Sequence, residues 1–123
     1  MLYTDEWWVN HLYYSLSKFN MSLMAKYWAK EFPNIGVNTL WPRTTLNTAP
    51  VRNILGGDEM VRISRTPRIM GDAAGVIFKS DPLICNGNNY IDDEVLASID
   101  EDVEKYRVSK ELQEKDLMPD FFC

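Results

Sequence analysis

The chain has 123 residues, of which 46% are hydrophobic and 25% charged, enough for one domain with a modest core but not for two. Its net charge of −5 gives no electrostatic reason to expect nucleic acid or an anionic membrane as a partner. No apolar run approaches the roughly 20 residues that span a bilayer. Cys85 and Cys123 lack metal-ligand spacing and lie far apart, so the sequence predicts neither a metal site nor a disulfide framework and favours an intracellular location.

The first predicted element is a helix from about Trp8 to Phe32, which ends by Pro33 because proline disfavours helical geometry in the residue before it. Aromatic and aliphatic residues occur on more than one side of this helix, so we expect it to be buried on two faces. Its large apolar residues recur at spacings of three and four: Leu16, Phe19, Leu23, Met24, Tyr27 and Trp28.

Residues 35–42 have the pattern of a strand that Pro42 ends. A polar loop follows, and then a short helix through Leu55, which the pair Gly56-Gly57 stops.

A longer helix is predicted after Thr66-Pro67-Arg68, with the pair Asp81-Pro82 marking its end. Residues 87–92 then have the composition of a turn that leads into a second short strand. Residues 93–123 are predicted to form an acidic tail on the surface.

The predicted order of helix, strand, helix and strand indicates an α/β fold with parallel strands joined by a crossover. A parallel pair needs cover on both faces and neighbours at its edges. Two strands and two main helices do not provide these, so we expect the chain to be part of a wider sheet.

Tyr14 and Lys18 are four residues apart on the first predicted helix and therefore share one face. A lysine cation beside a phenol favours the phenolate and is expected to lower the pKa of the tyrosine toward a range useful for proton transfer. The same pattern also arises when an exposed lysine happens to follow a half-buried tyrosine. The spacing alone therefore makes the pair a candidate acid–base site and no more.

The surroundings of Tyr14 and Lys18 resemble the short-chain dehydrogenase/reductase family. The helix that carries the pair is followed by a strand of the form Val-Asn-x-x-x-Pro at residues 37–42, and four further motifs occur in the right order along the chain. These are Leu40-Trp-Pro-Arg-Thr-Thr, Asp72-Ala-Ala, Gly87-Asn-Asn-Tyr-Ile-Asp-Asp and Pro119-Asp-Phe-Phe.

The resemblance implies the C-terminal part of a Rossmann-type doubly wound parallel sheet, and it implies roles for single residues. Tyr14 would exchange a proton with the substrate oxygen, while Lys18 would tune Tyr14 and hold the nicotinamide ribose. The backbone around Pro42 and Thr45 would face the nicotinamide. Trp7 and Trp8 would wall an apolar substrate pocket, or else pack against the following loop.

The family's glycine-rich phosphate-binding turn and its catalytic serine have no counterpart in this sequence. The resemblance therefore implies a complete enzyme that uses NADP or NAD on a lipid-like carbonyl or alcohol, and a 123-residue chain that is inactive alone. It also implies a mitochondrial or peroxisomal location, with the cytoplasm as the alternative. The apolar residues on two sides of the Tyr14 helix, in turn, allow a homo-oligomer through that helix.

A different class of function stays open at this point. The chain would then be a non-catalytic truncated product, or an incomplete reading of a longer gene, that acts, if at all, by association with a partner chain. Exposed apolar helix surface and an unpaired sheet edge favour such association.

Overall fold

The computed structural model describes residues 5–120, apart from the side chains of Glu6 and Trp7. It contains helices α1 (Asp5–Glu31), α2 (Gly57–Arg62), α3 (Arg68–Phe78) and α4 (Asp92–Ala97), and strands β1 (Thr39–Trp41) and β2 (Asn89–Ile91). A π-helix (Val51–Leu55) and two 3-10 helices (Val103–Tyr106 and Glu114–Asp116) complete the described elements. Within residues 5–120, no helix has the length and apolar character needed to cross a membrane.

β1 and β2 pair in parallel, with Leu40 opposite Tyr90, as the predicted crossover requires. The α/β fold class and the order of the main elements are confirmed. The first strand is shorter than the predicted 35–42 segment, because residues 37 and 38 hydrogen-bond with asparagine side chains and loop backbone instead of a strand. The backbone N–H of Val37, for example, donates to Asn86 Oδ1 at 2.8 Å.

α1 packs on the sheet through its small residues and not through its large ones, contrary to the prediction. Its buried positions are Ser15, Ser22, Ala25 and Ala29, which are spaced seven, three and four residues apart and so form one stripe along the helix. Small side chains allow the helix backbone to approach the sheet closely. The large apolar residues of α1 that we expected to be buried are mostly exposed to solvent, and Tyr27 is 59% exposed.

The core lies between α3, α4 and the first 3-10 helix. Its buried side chains are Ile69, Ala73, Val95, Leu96 and Tyr106. The prediction of a helix between Pro67 and Asp81 is confirmed by α3, which buries Ile69 and Ala73 and leaves Phe78 at its end exposed.

Residues 93–120 do not form the predicted surface tail. Val95 and Leu96 are buried because they pack in the apolar core against α3. The buried Asp92 at the start of α4 accepts a hydrogen bond of 2.9 Å at Oδ1 from the backbone N–H of Arg43. α2 was also not predicted, since Gly56-Gly57 interrupts the helical pattern but a new helix begins directly at Gly57.

The last described segment, residues 103–120, crosses back over the molecule and is called the strap below. It is held by main-chain hydrogen bonds at three places, from Val108 N to Ser64 O (3.1 Å), from Met118 N to Ile63 O (2.9 Å) and from Thr45 N to Met118 O (2.9 Å). Residue 119 then pairs with residue 44 in an antiparallel bridge. The strap therefore ends beside the carboxyl end of β1.

Candidate active site

A cavity of about 360 Å³ opens at the carboxyl end of β1, between α1 and the strap. Ligands of parallel α/β sheets bind outside the carboxyl ends of their strands, so this is the expected place for a site. α1 and the segment from β1 to Pro42 contribute most of the wall, and α3 and the strap add one residue each. The lining residues are Tyr14, Lys18, Met21, Thr39, Leu40, Trp41, Pro42, Met70 and Asp120.

Tyr14 and Lys18 lie on one face of α1, as their spacing predicts. The Lys18 ammonium lies over the Tyr14 ring, 5.6 Å from its centroid, within the range of a cation–π contact. Tyr14 is 48% exposed, and its carbonyl accepts a hydrogen bond of 2.7 Å from Ser17 Oγ. The phenol and the ammonium therefore reach the same cavity.

The pKa of Tyr14 is raised, whereas the sequence led us to expect that Lys18 would lower it. Partial burial of the phenol is the larger cause, and the negative charge of Asp120 adds to it. The raised pKa favours the protonated form of the Tyr14 phenol.

Pro42 lies in the wall of the cavity, but the structure does not bring Thr45 to it. Thr45 is buried, and its hydroxyl lies 2.8 Å from Ser64 Oγ. Its backbone is also engaged, because its carbonyl accepts from Arg65 N at 3.0 Å and its N–H donates to Met118 O. Thr45 therefore anchors the strap.

Trp7 and Trp8, predicted to wall a substrate pocket, lie in the first turns of α1. The side chain of Trp7 lies outside the described residues. Trp8 is half-buried and precedes His11, whose non-helical backbone (φ −134°, ψ 33°) kinks α1 ahead of Tyr14. Trp8 does not appear in the wall of the cavity.

Asp120 is the functional candidate that the sequence analysis did not single out. It belongs to the motif Pro119-Asp-Phe-Phe, which contributed to the resemblance but suggested no role. Its position in the cavity depends on the strap, whose backbone N–H at Asp120 donates to Arg43 O at 2.9 Å. Hydrophobic periodicity carries no signal for such a long-range arrangement.

The described residues fit the nicotinamide end of a dinucleotide better than its phosphate end. Tyr14, Lys18 and Pro42 surround the cavity at the strand end. The junction from β2 to α4, in contrast, consists of Asp92, Asp93 and Glu94, whose carboxylates would repel a pyrophosphate at that helix N-terminus. Within residues 5–120, no group of three His, Cys, Asp or Glu side chains is arranged to hold a metal ion.

Comparison with solved structures defines the class of fold. The chain is similar to a candidate dehydrogenase from Xanthomonas campestris (TM-score 0.84, 36% identity), over 95% of this chain and 42% of that one. It is also similar to a short chain dehydrogenase from Mycobacterium thermoresistibile (TM-score 0.76, 33% identity), over 99% and 43%. The chain is therefore similar to short-chain dehydrogenases and has a partial Rossmann-type fold.

Among curated proteins, the chain is similar to hydroxysteroid dehydrogenase-like protein 2. The identity is 40% over 118 residues for the Xenopus tropicalis protein, 38% over 117 for that of Danio rerio and 36% over 117 for that of Homo sapiens. Each alignment covers 94% of this chain and 27% of the relative. No protein-family model matches the chain.

Proposed function

We propose that residues 5–120 form the proton-transfer and substrate side of a nicotinamide-dependent short-chain dehydrogenase/reductase. The observation that supports this most directly is the convergence of Tyr14 and Lys18 on one cavity at the carboxyl end of β1. The chain spans 27% of the length of its curated relatives, so the activity belongs to a longer assembly that also holds a dinucleotide.

In this mechanism Tyr14 is the catalytic acid and base. Its phenol gives a proton to the substrate oxygen during carbonyl reduction and takes one back during alcohol oxidation. Lys18 would hold the ribose hydroxyls of the cofactor through its ammonium donors, and its positive charge lies beside the Tyr14 ring. Pro42 would bound the nicotinamide side of the cavity. The cofactor, when bound, supplies or accepts the hydride.

The substrate in this proposal is lipid-like. Support comes from the apolar part of the wall, formed by Met21, Leu40, Trp41 and Met70, and from the relatives' name. The cofactor is NADP or NAD. On the resemblance alone, we expect the protein to be located in mitochondria or peroxisomes.

The test compares Tyr14→Phe with Tyr13→Phe in a chain that carries a glycine-rich nucleotide-binding segment. That segment is the one encoded in the same gene or, failing that, the unmatched part of the Xanthomonas campestris relative joined to this chain. Phenylalanine at position 14 keeps the ring for Lys18 and removes only the hydroxyl. Turnover should fall by about 10²–10⁴-fold with cofactor affinity unchanged.

Tyr13 is the matched control, since it is 88% exposed on a different side of α1 and should tolerate the same change. Normal turnover in Tyr14→Phe would remove Tyr14 from the proton transfer. In the 123-residue chain alone, we expect no saturable binding of NADP or NAD in a fluorescence titration. Tight binding would contradict the proposal that the dinucleotide is held by another segment of a longer assembly.

A second candidate function is association without catalysis, favoured by the exposed apolar residues of α1. Val9 is 82% exposed and Tyr13 88%, with Leu16, Met24 and Trp28 also open on the same helix. The occupant of this surface would be a second copy of the chain or a nucleotide-binding partner. The two functions are distinguished by the extended chain: if it stays inactive with either cofactor while the 123-residue chain forms a stable oligomer, association is the function.

A further inference from the structure

We propose that Asp120 is a specificity-determining residue of this cavity, which selects neutral substrates that offer a hydrogen-bond donor near the reacting carbon over substrates that carry a carboxylate there. This inference rests on the proposed function and names the substrate class of the same site.

The geometry gives Asp120 a fixed place in the wall. Its backbone N–H donates to Arg43 O at 2.9 Å, directly after the antiparallel bridge between Thr44 and Pro119. Two residues earlier, Met118 both accepts from Thr45 N and donates to Ile63 O, at 2.9 Å each. These bonds fix the main chain of residues 118–120 at the edge of the cavity, so the carboxylate is held beside the site.

Two of the described lining residues of the cavity are charged. These are Lys18 of α1 and Asp120 of the strap, and the described lining residues from β1 and α3 are uncharged. Lys18 by itself would attract an anionic substrate. Asp120 offsets that attraction and repels a second carboxylate, by an amount that grows as water is excluded from the cavity.

Asp120 is close to the reacting group because it lines the same cavity as Tyr14. Burial is the main cause of the raised pKa of Tyr14, and the negative charge of Asp120 adds to it. A substrate oxygen within reach of the Tyr14 hydroxyl therefore lies in the field of the same carboxylate. A hydroxyl on the neighbouring carbon could donate to Asp120, whereas a carboxylate on that carbon would be repelled.

The experiment uses the extended, cofactor-competent chain and two probes of equal chain length, a 1-hydroxy-2-alkanone and the corresponding 2-oxo carboxylate. The wild type should prefer the hydroxyketone, and Asp120→Asn should reduce the ratio of kcat/KM for the two probes by about tenfold or more. Glu111→Gln is the matched control, because it removes an exposed carboxylate from the same strap. An unchanged ratio in Asp120→Asn overturns the proposal.

A second measurement needs no turnover. In the 123-residue chain, tyrosine ζ-carbon NMR with the Tyr14 signal assigned by Tyr14→Phe should show a lower pKa of Tyr14 in Asp120→Asn and no change in Glu111→Gln. An unmoved pKa would show that the carboxylate is not beside the phenol and would also overturn the proposal. An extended chain inactive on both probes would instead refute the proposed function, whatever the NMR result.

Discussion

The guanidinium of Arg65, whose side chain is 1% exposed, is ion-paired with Glu114, which lies 49 residues further along the chain in the strap. A second carboxylate, that of Asp93, lies 3.7 Å from its Nη1. Arg65 Nε and Nη1 have no hydrogen-bond partner in the described structure. The pair therefore joins the strap to the loop before α3 while leaving the buried cation incompletely satisfied.

The two partners of this ion pair should respond unequally to truncation. Glu114→Ala leaves a buried guanidinium with still fewer partners and should lower the free energy of unfolding by roughly 2–3 kcal/mol. Arg65→Met should cost about 1 kcal/mol or less, since Asp93 keeps Arg43 and Glu114 is 45% exposed to water. Urea unfolding of both variants checks this. A larger loss in Arg65→Met would mean that the cation is better stabilised than its contacts indicate.

A second prediction concerns acid stability. Tyr106 donates a hydrogen bond of 2.6 Å to Asp72 Oδ2, and this bond is the main cause that holds the pKa of Asp72 below its ordinary value. A carboxyl whose pKa is lowered in the folded state stabilises the fold above its unfolded pKa, and the contribution disappears as the pH falls through the folded pKa.

Tyr106→Phe should therefore lower Tm at neutral pH, and its difference from the wild type should shrink as the solution is acidified. Tyr90→Phe is a suitable control, because the Tyr90 hydroxyl contacts Cys85 and Asn88 and no carboxylate. A constant Tm difference for Tyr106→Phe across the acid range, measured by circular dichroism, would show that Asp72 does not depend on this bond.

A third prediction contrasts two glycines. Gly87 has φ 77°, and a Cβ there would lie 3.3 Å from the Cβ of Ala29 on α1, so Gly87→Ala should destabilise the fold by about 1–2 kcal/mol. Gly71 lies inside α3 with no atom within 4 Å of an added Cβ. Gly71→Ala should stabilise the fold by roughly 0.5–1 kcal/mol. Thermal unfolding should shift in opposite directions, and a shared direction would contradict the local geometry.

The sequence was sufficient to predict the elements that carry strong local signals. α3 combines an apolar face with Pro67 before it and Asp81-Pro82 after it, and Pro42 follows the end of β1. The place of Tyr14 and Lys18 on one helix face also follows from spacing alone. These features depend on residues that are close together in the chain.

Structural features that depend on residues far apart in the sequence could not be predicted. The close approach of α1 to the sheet is made by Ser15 and Ala25, which hydropathy does not distinguish from exposed positions. The raised pKa of Tyr14 is caused mainly by burial, and the charge of Asp120 adds to it. Asp120 comes near because main-chain bonds to Ile63 and Thr45 draw the strap across the molecule. Hydrophobic periodicity indicates which face of an element is apolar. It does not predict which backbone groups will form hydrogen bonds with residues far away in the sequence.

The position of the strap late in the sequence determines when its contacts can form during synthesis. A ribosome releases Tyr14 early and Asp120 only after α3, β2 and α4 have emerged, so the cavity wall is assembled last during synthesis. Until then the backbone groups of residues 44, 45 and 63 that bind the strap face water or a chaperone. Contacts of such large sequence separation slow folding. A nascent chain stalled before the strap would thus leave the cavity open on that side, and chaperones could recognise it during this interval.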